Sequence, residues 1–303
     1  MRTIGLLRCA RTDERISSSK QLSEFPVWTD PSIALARIEW GLYGRPIFNN
    51  EGYLQVSLNG SFLQHPGITA LYSIDCYHAM LMDDKKSTHK ENFLREAQWL
   101  NRFIVDSKAF RVAEIDIHSD LIKNGTVEIP IRAISYRLLS LSVLLRAKQF
   151  DLNYNYETAI ELIVSLLDKP GSENGLLIQH TKIDYIVDGF AELNPNYLSS
   201  LLLSVFVIYE YCLLFENIKI KNLLQQQIQS IKTYVDSRHL QEFISFAYIG
   251  CDFKMDDYFF IINSFAALAE IANDKFFAEY SRKLAKEFYK YRIKEFIKCK
   301  LPI

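Results

Sequence analysis

LSSLLLSVFVIYEYCLLF, residues 198–215, is apolar nearly all the way round any helix drawn through it. At about 18 residues it approaches the length of a membrane span. Glu210 and several hydroxyls within it argue for a buried helix instead. So does the next part of the chain: the short polar stretch ENIK, then IKNLLQQQIQSIKTYV (220–235), with apolar residues every three to four positions. An apolar helix leading closely into an amphipathic one reads as an antiparallel hairpin. The first helix should be buried on most sides, and the second should keep a polar face in solvent.

The unit recurs. GITALYSIDCYHAML (67–81) leads through the polar DDKKST into KENFLREAQWLNRFIV (90–105). IPIRAISYRLLSLSVLLRA (129–147) leads through KQFDLNYN into YETAIELIVSLL (156–167). FFIINSFAALAEI (259–271) leads through ANDK into FFAEYSRKLAKEFYKY (276–291). Repetition by structural unit predicts a mainly α fold, an α/α toroid of helical hairpins with apolar helices inside and amphipathic ones outside. The connections near 107–130, 169–197 and 236–256 carry short alternating stretches, read as β segments clustered on one rim. Such a rim is a natural place for a groove. Upstream, EGYLQVSLNGSF (51–62) alternates like a strand entering a loop, and PSIALARIEWGLYG (31–44) reads as a helix. The expected organisation is an N-terminal extension over 1–46 with one helix, then a toroid domain over 47–303.

Composition narrows the function. The 35 basic and 36 acidic residues nearly cancel, which argues against bulk nucleic-acid binding. The N-terminal apolar run ends at Arg8, too short for a signal peptide. Five cysteines without a CxxC pair fit reduced thiols in a cytoplasmic protein. No Gly-rich phosphate loop, HExxH, GxSxG or EF-hand pattern is present, and the six histidines lack ligand spacing. No metal and no cofactor are expected. The basic C-terminal helix, with Lys283, Lys286, Lys290, Arg292, Lys294 and Lys298 among Glu279, Glu287 and Glu295, reads as a solvated face or as a surface for an anionic polymer.

Four stretches, in order along the chain, go further. FLREAQWL (93–100) and SVLLRA (142–147) resemble segments of the glucuronyl C5-epimerase C-terminal domain family. GFAELNPNYLSS (189–200) resembles that family's E-E-Y-P-x-x-P-S-S segment, with Glu192, Pro195, Ser199 and Ser200 in register. DDYFFIINSF (256–265) then resembles its Y-H-x-x-H-I-x-x-L helix, with Tyr258 at the tyrosine.

The resemblance implies a cofactor-free racemase or epimerase acting on an acidic glycan or a uronic-acid-containing sugar. Inverting C5 needs acid/base groups on both faces of the ring and donors to hold the enolate-like charge. It implies Tyr258, Tyr248 and Glu192 as catalytic groups. Arg132 and Arg137, on an otherwise apolar inner helix, and His65, before Pro66 at a helix entry, are the substrate-binding candidates. Arg146 is read as structural. Phe259 and Ile262 stand where the family has histidines, and Leu193 and Asn194 replace a glutamate and a tyrosine. These departures point to a second reading, a catalytically degenerate toroid that binds glycan or scaffolds its assembly. A third is a toroid polysaccharide lyase or glycosidase, for which Glu192 with Asp256 or Asp257 would supply paired carboxylates. No membrane span and no nucleic acid are expected, and a homodimer stays open.

Overall fold

The structure, a computed structural model, describes residues 47–58, 61–64, 66–80, 86–106, 136–169, 176–179, 184–186, 197–236 and 255–300. The expected extension over 1–46, its helix, and most of the connections between hairpins lie outside the described residues.

Among the described residues the chain is mainly helical. A small antiparallel sheet comes first, with β1 (Ile47–Phe48), β2 (Leu54–Leu58) and β3 (Ser61–Leu63) in the order β1-β2-β3. The run read as a strand entering a loop is therefore itself a hairpin, in which Val56 faces Leu63 and Leu58 faces Ser61. The β1–β2 turn is held by Asn49, whose Oδ1 accepts the Glu51 and Tyr53 amides at 3.0 and 2.9 Å. Gly52 takes φ +83° there, a conformation that side chains rarely adopt.

Four pairs of helices complete the described chain: α1 (Pro66–Ala79) with α2 (Lys86–Asp106), α3 (Tyr136–Phe150) with α4 (Glu157–Val164), α5 (Tyr197–Leu214) with α6 (Ile218–Asp236), and α7 (Met255–Ala272) with α8 (Lys275–Lys300). Each first helix packs on the next first helix, α1 on α3, α3 on α5 and α5 on α7, so they form one inner row. Helix α2 starts at Lys86, inside the stretch expected as a turn, because nothing in Lys-Ser-Thr stops a helix as Gly or Pro would. The expected β segments between the second and third pairs are β4 (Leu177–Gln179) and β5 (Asp184–Ile186), paired antiparallel, with β5 packed on α5 and α6.

Burial matches the sequence pattern. Every residue from Leu201 to Ile208 in α5 is buried, as is every residue from Arg137 to Ala147 in α3. Full burial of each large apolar side chain stabilises by about 1.5–3 kcal/mol, so these two rows anchor the core. Helix α6 instead buries Ile220, Leu223, Leu224, Gln227, Ile228 and Ile231 while exposing Lys221, Asn222, Gln225 and Gln226, the stripe expected of an outer helix. The apolar run over 198–215 is thus a core helix, and no described helix is long and apolar enough to cross a membrane.

The first three inner helices run the same way. Moving along α3 from Ser142 and Arg146 to Lys148, the contacts on the third hairpin move from Glu210 to Phe215. Tyr77, near the end of α1, meets Arg146 and Phe150, near the end of α3. The fourth pair departs from the repeat. Its tight turn is built by Asn273 at φ 48°, which ends α7, and by Asp274, whose Oδ1 accepts the Phe276 amide at 2.9 Å and caps α8. The other Asp274 oxygen pairs with Lys232 Nζ at 2.7 Å, and that ammonium lies 5.0 Å from the centre of the Phe276 ring. Lys232 belongs to the C-terminal part of α6, about 21 Å along the helix axis from Ile218. A strict repeat would set the α7–α8 turn beside the α5–α6 turn instead.

Candidate functional site

Of the six candidate residues, Arg137 is the one whose side chain is described. It is the second residue of α3 and is 6% exposed. Burying a guanidinium this deeply is costly unless it is partnered, and Arg137 is not without a partner. Tyr258 is the fourth residue of α7, and the structure places its backbone but not its side chain. Tyr248, Glu192, Arg132 and His65 lie outside the described residues. Helices α3 and α7 both pack on α5, so Arg137 and Tyr258 stand on two neighbours of one central helix. At the positions that depart from the family pattern, Ile262 is 4% exposed within the core, and Phe259 has only its backbone placed.

Two polar clusters sit inside the described core. The first joins three inner helices. Arg146 Nη2 meets Glu210 Oε1 at 2.5 Å with both side chains fully buried. Ser142 Oγ donates to Glu210 Oε2 at 2.6 Å and accepts from Arg146 Nε at 3.1 Å. On the other side, the guanidinium lies 4.3 Å from the centre of the Tyr77 ring in α1, close enough for a cation–π contact. Burial pushes the Tyr77 phenol above its ordinary pKa, although the Arg146 charge opposes the shift. A phenol held neutral in this way is a poor base, and the cluster opens to no solvent. Its chemistry is that of a fastener, as expected for Arg146.

The second cluster lies where β2 crosses α1 and α2. Glu96, fully buried within FLREAQWL, accepts the Leu54 amide through Oε1 at 2.9 Å. Its Oε2 has no hydrogen-bond partner among the described residues. Burial raises this carboxyl to about 7, against smaller opposing effects from the Leu54 amide and the Arg95 charge. Beside it, burial drives the Tyr72 phenol and the Cys76 thiol upward, so both stay protonated near neutrality. At the solvent edge Asn92 accepts from Arg95, and Arg102 donates to the Tyr53 hydroxyl. A carboxyl poised near 7 is the usual property of a general acid or base. Here it is sealed beneath β2, and its visible work is to hold a strand onto the helices. Sequence reasoning assigned Glu96 no role. The signal that could have found it was an acidic residue sharing a helix face with Phe93, Ala97 and Leu100, all fully buried.

Among the described residues no three His, Cys, Asp or Glu side chains gather as a metal site would require. Comparison with family models, with curated proteins and with solved structures finds no match.

Proposed function

We propose that the chain is a uronic-acid C5-epimerase-like protein of α/α-toroid architecture, acting in the cytoplasm on an acidic polysaccharide or its precursor. The observation that carries this reading is where the two motif segments fall. FLREAQWL supplies Glu96 to the seam between β2 and α2, and Phe93 to ring contacts with Tyr77 of α1 and Phe150 of α3. SVLLRA supplies Ser142 and Arg146 to the seam between the second and third hairpins. Two of the segments that carry the resemblance thus make buried contacts between elements, as expected if the likeness extends to the architecture.

In this reading Tyr258 and Tyr248 remove the C5 proton from one face and return one to the other. Glu192 completes the acid/base set. Arg132, Arg137 and His65 hold the sugar carboxylate, whose oxygens take up charge as the proton leaves. A phenol with an ordinary pKa near 10 needs such cations beside it to act as a base near neutrality.

A second reading is favoured by Ile262. The family position that would carry a polar ring is here a buried aliphatic side chain, and the Ile262 carbonyl accepts Ser281 Oγ at 2.9 Å. That side of α7 serves packing, which fits a toroid that binds glycan without turning it over. Incubation with glucuronate-containing polysaccharide in deuterated water separates the two. Deuterium at C5 that disappears in Tyr258→Phe supports the epimerase. Glycan binding without incorporation by the full chain replaces it with the binding protein, and neither binding nor incorporation removes both.

A further inference from the structure

Helix α8 concentrates positive charge. Over Lys275–Lys300 it has nine Lys or Arg and three Asp or Glu, although the whole chain has 35 and 36. The rest of the chain is therefore acidic. The buried side of the helix is set by Phe277, Tyr280, Ser281 and Leu284. At about 100° per residue, Lys275, Arg282, Lys283, Lys286 and Lys290 fall within an arc of about 100° on the other side, and all five are exposed. Glu279 is the one acid inside that arc. Lys290 pairs with Glu287 at 2.5 Å, whereas Lys275, Lys283 and Lys286 have no ion pair among the described residues. From Lys275 to Lys290 the stripe runs about 22 Å.

We propose that this stripe is a docking track for an extended acidic polysaccharide, separate from any groove formed at the ends of the inner helices. The proposal rests on the glycan reading above and adds where the polymer lies on the protein. A row of separated ammonium groups suits carboxylates spaced along a chain, because each is a point charge needing no fixed geometry. A membrane is a poorer fit, since the apolar face over 277–284 is buried, the helix packs on α7, and among its described side chains it shows solvent one large aromatic, Tyr289. Duplex or single-stranded nucleic acid is poorer too, as the described stripe has one arginine and no row of stacking rings.

The test uses the full chain and a charge-reversed variant, Lys283→Glu with Lys286→Glu, both at exposed positions. Binding of long polyglucuronate is measured against salt concentration. Duplex DNA, anionic phosphatidylserine vesicles and neutral dextran are run beside it. The full chain is expected to bind polyglucuronate at low salt and lose it as salt rises, with the variant weaker by roughly tenfold or more. Equal binding by both proteins overturns the proposal, as does tighter binding to DNA or vesicles, or no polyglucuronate binding at low salt. Deuterium incorporation into a short uronic-acid oligosaccharide, too short to span the stripe, is followed in both proteins. Unchanged incorporation with equal polymer binding discards the track and keeps the epimerase. Polymer binding lost in the variant, with no incorporation by either protein, keeps the track and discards the epimerase.

Discussion

Removing one partner of the Arg146–Glu210 pair should be among the most damaging single changes available in this core. In Glu210→Leu the guanidinium stays fully buried among α1, α3 and α5, and loses the carboxylate 2.5 Å away. Ser142 Oγ and the Tyr77 ring remain beside it, but neither supplies a negative charge. Stranding a buried charge in this way costs about 3–5 kcal/mol. For a chain of this size each kcal/mol shifts Tm by roughly 2–4 °C, so a fall of about 10 °C is expected. Arg146→Met should cost a similar amount, because it takes the cation away from the buried Glu210 carboxylate. The double variant Arg146→Met with Glu210→Leu removes both charges and fills the space with apolar atoms, so it should be far less destabilised than either single variant. Urea unfolding followed by far-ultraviolet circular dichroism gives all four corners of the cycle. Single variants within about 1 kcal/mol of the parent, or a double variant as unstable as the sum of the singles, would refute the reasoning.

Two further expectations concern the cluster under β2. Glu96 titrates at about 7 in the folded chain, above an ordinary carboxyl near 4.5, so the folded state holds a proton that the unfolded chain has released. The resulting stabilisation is complete below about pH 4.5 and is lost as pH rises through 7, with a slope of at most about 1.4 kcal/mol per pH unit. Glu96→Gln should remove that slope between pH 5 and 8 in urea titrations, and an unchanged slope would assign it to another group. Cys76 is completely buried with its thiol pushed upward, whereas Cys212 is half-buried. Iodoacetamide at pH 8 should therefore leave Cys76 unmodified until urea unfolds the chain. Mass spectrometry of the peptides reads this directly, and labelling of Cys76 in the folded protein would count against its burial.

The hairpins were legible because a period of three to four residues survives in α2, α4 and α6, and because ANDK carries both an Asn able to turn left-handed and an Asp able to cap. What the sequence concealed was long-range. Glu210 and Arg146 are 64 positions apart in the chain, and no local pattern pairs them. The placement of the fourth hairpin is likewise a matter of contacts between segments distant in sequence. The Asp274–Lys232 contact that reveals it spans 42 positions. Glu96 was hidden differently: in FLREAQWL a buried carboxyl and a solvated one look the same until the neighbouring strand is in place. Of the candidate site, Arg137 was legible as an arginine within an otherwise apolar run and is buried in α3, while the side chains of the other five candidates lie outside those described.

The apolar surfaces of α1, α3 and α5 have a consequence for alignment. Leucines on a helix buried all round pack almost as well after a slide of one turn, about 5.4 Å, so hydrophobicity alone leaves the axial register nearly degenerate. One guanidinium removes that degeneracy. It must reach Glu210 on one side and the Tyr77 ring on the other, so a one-turn slip of α5 would pull the buried charges apart and a slip of α1 would lose the ring contact. Three helices that could slide past one another are thus indexed by a single side chain.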